Sequence, residues 1–282
     1  MRIFLLLIIL IVYLSAEKKV ALLIGNQNYE NYPKLNTPIN DIRAMENLLR
    51  KKGFHTIVLV NATQEKMHQK LYYFRKRVSK SDIALVYYAG HGISIKNKNY
   101  LIPIDAPRIK DKPIYYKLTS LDEIIDISSS AKKSILIIDA CRPIPISKNF
   151  NKGLVPIYPR KDSIVSFSSS IGKTASDANS KYSIFGQALL NNLNKQKEII
   201  VALQSVKIDV MKRSDYQQIP YIFENLGSKK VYLEKYPTLP KPTINNYPQL
   251  NIKEHSYIII RKIDEVRKIK NIKTYVLFII PQ

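Results

Sequence analysis

The sequence predicts an α/β fold: a mostly parallel sheet covered by helices on both faces. Three observations predict it. Short apolar runs of strand length recur from residue 19 onward. Segments of helical length and period alternate with them, which is the signature of βαβ units. The runs are near-continuous in Val, Ile and Leu, as strands buried on both faces are.

The elements follow in order. Residues 19–25 (KVALLIG) form an apolar run closed by Gly, the first strand. Asn36-Thr37-Pro38 starts a helix, with Pro in its first turn, that runs to about Lys52 and stops at Gly53. Residues 54–60 (FHTIVLV) are the second strand. Thr63 caps a second helix reaching about Ser79. Residues 82–88 (DIALVYY) are the third strand, followed by Ala89-Gly90-His91-Gly92. Residues 132–138 (KKSILII) are the fourth, followed by Asp139-Ala140-Cys141-Arg142. Residues 163–167 (SIVSF) make a fifth, helices follow at about 183–193 and 198–212, and residues 230–233 (KVYL) are expected as the last strand. After Glu234, Pro237, Pro240, Pro242 and Pro248 among Asn, Thr and Tyr read as a linker over 234–252. A basic tail with interleaved apolar residues fills 253–282; its final apolar run, residues 275–280, is too short to span a membrane. An amphipathic membrane-contacting role is a minor alternative for it.

Composition bounds the function. A length of 282 residues allows one large domain, or one domain with a short appendage. A hydrophobic content of 45% excludes a disordered chain. Lys and Arg number 45 against 22 Asp and Glu, a formal net charge of +23. That balance favours acidic partners such as anionic polymers or membrane surfaces, or serves only solubility. At the N-terminus, Arg2, an apolar run over residues 3–14 and Ser15-Ala16 read as a signal peptide (1–16) cleaved before a secreted chain. An uncleaved signal anchor tethering the protein to a membrane is the alternative reading.

Cys141 is the only cysteine, so no intramolecular disulfide exists. A lone thiol is either a buried inert residue or a nucleophile. The four histidines and one cysteine show no metal-ligand spacing, and neither a phosphate loop nor an Asp-rich calcium loop is present. No cofactor is expected.

In open parallel sheets, ligands bind at the carboxyl ends of strands. Here His91 follows the third strand and Cys141 the fourth. Were these strands neighbours, their ends would lie about 5 Å apart. A thiolate and an imidazole could then flank one substrate carbonyl, with His91 as general acid and base. The glycines beside His91 would let a substrate approach the backbone closely. The N–H groups of Gly92 and Cys141 could face the developing oxyanion. Cys141 lies 50 residues after His91, a spacing that resembles the one in caspases.

The run ALLIGNQNYENYPKLNTPINDIRAMENLLRKKGF resembles the start of caspase-like domains, LVYYAGHG with YLIPIDAP their histidine segment, and ILIIDACR their cysteine segment. Within that clan, GHG, NYLIPIDAP, Asp139 and Asp41 are most similar to paracaspases. The resemblance covers residues 17–233 as a peptidase domain. It implies a caspase-like three-layer αβα sandwich with a mostly parallel six-stranded sheet, a Cys–His dyad and peptide-bond hydrolysis. It also implies that the residue two before the nucleophile lines the pocket for the side chain preceding the cut. A carboxylate there, Asp139, suits Arg, and less specifically Lys. Asp41 and Asp177 stand where paracaspases place further pocket acids; the plainer readings are a first-turn helix acid for Asp41 and a solvated loop acid for Asp177. Expected partners are peptides with a basic residue before the cut, and a second copy pairing through the last strand, at 230–233. Lys148, Lys152 and Arg160 are candidate self-cleavage sites. The rival reading is a catalytically silent caspase-like module that binds acidic partners.

Overall fold

The structure, a computed structural model, describes residues 17–108, 115–141, 154–168, 180–195 and 198–234. The chain divides into Met1–Tyr236 and Pro237–Gln282, and every described residue belongs to the first unit. The expected signal peptide, Asp177, Lys148, Lys152, the linker beyond Glu234 and the basic tail lie outside the described residues.

Strands β1 (Lys19–Gly25), β2 (Phe54–Val60), β3 (Ile83–Ile95), β4 (Lys98–Leu101), β5 (Thr119–Ser120), β6 (Lys133–Cys141), β7 (Ser163–Phe167) and β8 (Tyr221–Asn225) form one sheet. Its main path is β2-β1-β3-β6-β7-β8, parallel except for β8, which runs antiparallel to β7. The main path has the expected six strands, and β4 and β5 extend the sheet off β3 to eight. Helices α1 (Pro38–Lys51), α4 (Ile184–Lys195) and α5 (Ile199–Arg213) pack their apolar stripes on one face, where Ala21, Leu85, Tyr87 and Ile137 are buried. Helices α2 (Gln64–Val78) and α3 (Leu121–Ser128) cover the other, where Leu22, Val86, Tyr88 and Ile138 are buried. Strand alternation produces this division: odd positions of β3 face one helix layer and even positions the other. The three-layer sandwich is as the sequence predicts.

Two expectations change. First, β3 does not stop at Tyr88 but continues through Gly90-His91-Gly92 to Ile95, and all 13 of its residues are buried. The low strand propensity of glycine is overridden because the segment has ladder partners. Strand β6 pairs with it as far as His91, and β4 from Gly92 onward. Lys96 and Asn97, both at positive φ, close the β3–β4 hairpin, the backbone that a two-residue type I′ turn demands. Second, the last strand is β8, not residues 230–233. Tyr232 there forms an isolated bridge to Glu198 instead of a strand of the sheet. Strand β8 is thus the outer strand on the β7 side of the main path. Its sequence, YIFEN, lacks the continuous apolar signal because it is largely exposed.

Candidate active site

The sheet register brings the candidate dyad together. Strands β3 and β6 are neighbours, and His91 and Cys141 are Cα partners in the last pair of their parallel ladder. Adjacent strands lie about 4.8 Å apart, so the two backbones meet at one end of the sheet. The conditional distance argument from sequence is met.

The orientation of His91 is built by residues that the sequence did not single out. His91 is 2% exposed. Its backbone N–H donates to the Tyr29 hydroxyl at 2.7 Å, and the Tyr88 hydroxyl donates to its carbonyl oxygen at 2.6 Å. The Tyr29 ring lies 4.5 Å from the imidazole, centroid to centroid. Nε2 sits 2.8 Å from the Pro33 carbonyl oxygen. A carbonyl only accepts, so this contact places the proton on Nε2 and, in the neutral ring, leaves the lone pair on Nδ1. Tyr29 and Pro33 come from the loop between β1 and α1. Tyr29 and Tyr32 anchor that loop in a small apolar cluster with Ile93, Ile95 and Ile102.

The flanking glycines also have a packing role. A Cβ on Gly90 would lie 2.6 Å from both the Tyr29 and Tyr88 hydroxyls. The side-chain direction of Gly90 is occupied by the tyrosines that hold His91. A Cβ on Gly92 would sit 3.0 Å from the Ala140 Cβ and 3.2 Å from Leu154. Asn26 N–H donates to Ala89 O, so Ala89 and His91 turn their backbone groups toward the β1 side. By alternation Gly90 and Gly92 turn theirs toward β6.

A recess adjoins His91. It is lined by Leu35, Thr37 and Pro38 at the start of α1, by Asp41, and by Ala89, Gly90 and Asp139 at the strand ends. Asp139 pairs with Ala89, two positions before Cys141. Both acids are buried, Asp41 to 1% and Asp139 to 4% exposure. They share Ser183. Its hydroxyl donates to Asp139 Oδ2 at 2.8 Å, and its N–H donates to the two oxygens of Asp41 at 3.1 and 3.3 Å. Asp41 is thus a first-turn acid of α1 that also satisfies the start of α4. Gly186 completes the arrangement, since a Cβ there would lie 2.4 Å from Asp41 Oδ1.

Among the described residues, no group of three His, Cys, Asp or Glu side chains is placed to hold a metal ion.

The family profile described as "Caspase domain" matches residues 18–232. The chain belongs to the caspase domain family. This caspase domain is similar to the human mucosa-associated lymphoid tissue lymphoma translocation protein 1, at 40% identity over 92 residues, 33% of this chain and 11% of that protein. The mouse homolog matches at 39% over 92 residues. The protein named Paracaspase from Dictyostelium discoideum matches at 28% over 134 residues, 45% of this chain and 32% of that one. The chain therefore spans only a minor part of the length of these relatives. The matches place it in a cysteine peptidase family, on the paracaspase side.

Of the residues proposed from sequence, His91, Gly92 and Cys141 meet at the end of β3 and β6, and Asp41 and Asp139 meet in the adjoining recess. Sequence reasoning missed Tyr29, Pro33, Tyr88, Ser183 and Gly186. Ser183 carried a signal, since Ser just before an apolar helical run reads as an N-cap. Nothing local shows that the same residue reaches acids 142 and 44 residues away.

Proposed function

We propose that this protein is a cysteine endopeptidase that hydrolyses the peptide bond after Arg, and less well after Lys. The observation that carries the reading is the ladder pair of His91 and Cys141 beside a recess containing two buried carboxylates. The Cys141 sulfur attacks the scissile carbonyl, and the C–S bond forms as His91 manages the thiol proton. The N–H groups of Gly92 and Cys141 stabilise the oxyanion. Both residues stand at the end of the β3–β6 ladder. Collapse of the intermediate breaks the C–N bond, and the imidazolium gives its proton to the leaving amine. Water then attacks the thioester, with His91 taking its proton, and the C–S bond breaks to regenerate the thiol.

Asp139 and Asp41 receive the cationic side chain preceding the cut. A guanidinium offers donors along more than one edge and suits two carboxylates better than an ammonium. Asp177 is assigned the part of a third pocket acid, and residues 1–16 that of a signal peptide directing the enzyme to the secretory route.

The test is hydrolysis of short fluorogenic peptides ending in Arg, Lys or Asp by the wild type, Cys141→Ala and Asp139→Asn. The expected order is Arg above Lys with none after Asp, and Cys141→Ala is inactive. Asp139→Asn loses on the order of 10²-fold, as removal of one partner of a desolvated charge pair does. Cleavage after Asp refutes the pocket assignment. Binding of acidic polymers with no hydrolysis of any peptide favours the silent module instead.

A further inference from the structure

We propose that Ser183 is a positioning residue for substrate selection: it fixes the two pocket carboxylates relative to each other and so sets the preference for Arg over Lys. This rests on the peptidase reading above and deepens it.

The two acids arrive on separate elements. Asp41 lies in the first turn of α1, and Asp139 near the end of β6. Their geometry relative to each other depends on what joins them. Ser183, itself 5% exposed, bonds to both. Its hydroxyl spends its one proton on Asp139 Oδ2 and accepts from the Gly186 N–H at 2.8 Å, while its own N–H lies on Asp41. The Gln187 N–H donates to its carbonyl oxygen at 2.9 Å. Ser183 is therefore the N-cap of α4, bonded on to the two carboxylates. The cap orients the hydroxyl: with one lone pair on the Gly186 N–H, the proton is directed at Asp139. Gly186 is required by the same packing, since any Cβ there would strike Asp41 Oδ1 and approach Ser183 Oγ to 2.9 Å. Ser183 to Gly186 thus forms a floor beneath both acids.

Selection follows from the rigidity. A planar guanidinium must meet two carboxylates with its N–H vectors in line, so it benefits from a fixed spacing. An ammonium with three rotatable donors tolerates a shifted carboxylate. Loosening Asp139 relative to Asp41 should therefore harm Arg substrates more than Lys substrates.

The test compares Arg and Lys peptides on the wild type, Ser183→Ala and Ser183→Thr, with thermal unfolding recorded for each. Ser183→Ala should raise KM for the Arg peptide far more than it lowers kcat. It should also reduce the Arg-over-Lys ratio in kcat/KM about tenfold, the scale of one hydrogen bond to a charged group. Ser183→Thr keeps a hydroxyl and should hold the ratio near the wild-type value. A purely structural cap would lower the melting temperature and depress both substrates equally. An unchanged ratio in a folded Ser183→Ala, or a collapsed ratio in a folded Ser183→Thr, overturns the role of Ser183 alone. A wild type that cleaves neither peptide overturns the peptidase reading itself.

Discussion

At the residue scale, the dyad was legible and its support was not. His91 and Cys141 stood out because each follows an apolar strand run and the two lie 50 positions apart. The tyrosines that hold His91 gave no such signal, since a Tyr in a loop or strand looks like any other core aromatic. Their role predicts a measurable loss. Tyr29→Phe withdraws the acceptor from a buried N–H, costing about 1–3 kcal/mol. Part of that cost should appear as a several-fold fall in kcat with little change in KM, since the imidazole is affected and the recess is not. Steady-state kinetics on the Arg peptide distinguish this from a pocket defect.

At the element scale, three strands were read to the residue, whereas β3 and β6 run on past the apolar runs that mark them. Strands β1, β2 and β7 begin and end where their apolar runs do. What escaped depends on tertiary pairing: β3 running through its glycines, the short β4 and β5, and the polar edge strand β8. The extension of β3 makes Gly90 a critical position. Gly90→Ala drives a methyl between two hydroxyls within one turn of the dyad, and should destabilise by about 1–3 kcal/mol, as overpacking does. Chemical denaturation measures it, and unchanged stability would contradict the described packing. Self-cleavage belongs to this scale too. Arg160 is engaged by Asp126, with Nε at 3.2 Å and Nη2 at 2.9 Å from the same oxygen. If the chain cuts itself there, Asp126→Asn should speed the appearance of fragments on a gel, and Cys141→Ala should show none.

At the scale of the whole molecule, charge and pH decide. The folded chain gathers a net +23 that the unfolded chain spreads out. The exposed ion pairs, such as Arg213 with Asp209, contribute little each. Self-repulsion outweighs them, so added salt should raise the melting temperature as the screening length falls from about 30 Å at 0.01 M to about 8 Å at 0.15 M. Acid should lower stability in two windows. Partial desolvation, then Arg77 and Arg50, depress His55 below its ordinary 6.5, an effect kept small because the residue is exposed. The unfolded chain therefore takes this proton first, and stability falls as pH drops below about 6.5. His55→Gln should remove that slope. The bonds from Lys132 to Asp82 and from Lys229 to Asp162 hold both carboxyls below their ordinary 3.8. Their contribution is present above 3.8 and lost as pH falls through the lower folded values. It is small, because both pairs are exposed to solvent.

The claim on which the function depends is that Cys141 is a nucleophile activated by His91 beside an anionic recess. A peptidyl-arginyl acyloxymethyl ketone, followed by mass spectrometry of the digested protein, tests it directly. The account predicts one adduct, on Cys141, formed much more slowly in His91→Ala and in Asp139→Asn, and not formed by the aspartyl reagent. No adduct on Cys141 in the folded wild type, or equal labelling by the arginyl and aspartyl reagents, would contradict it.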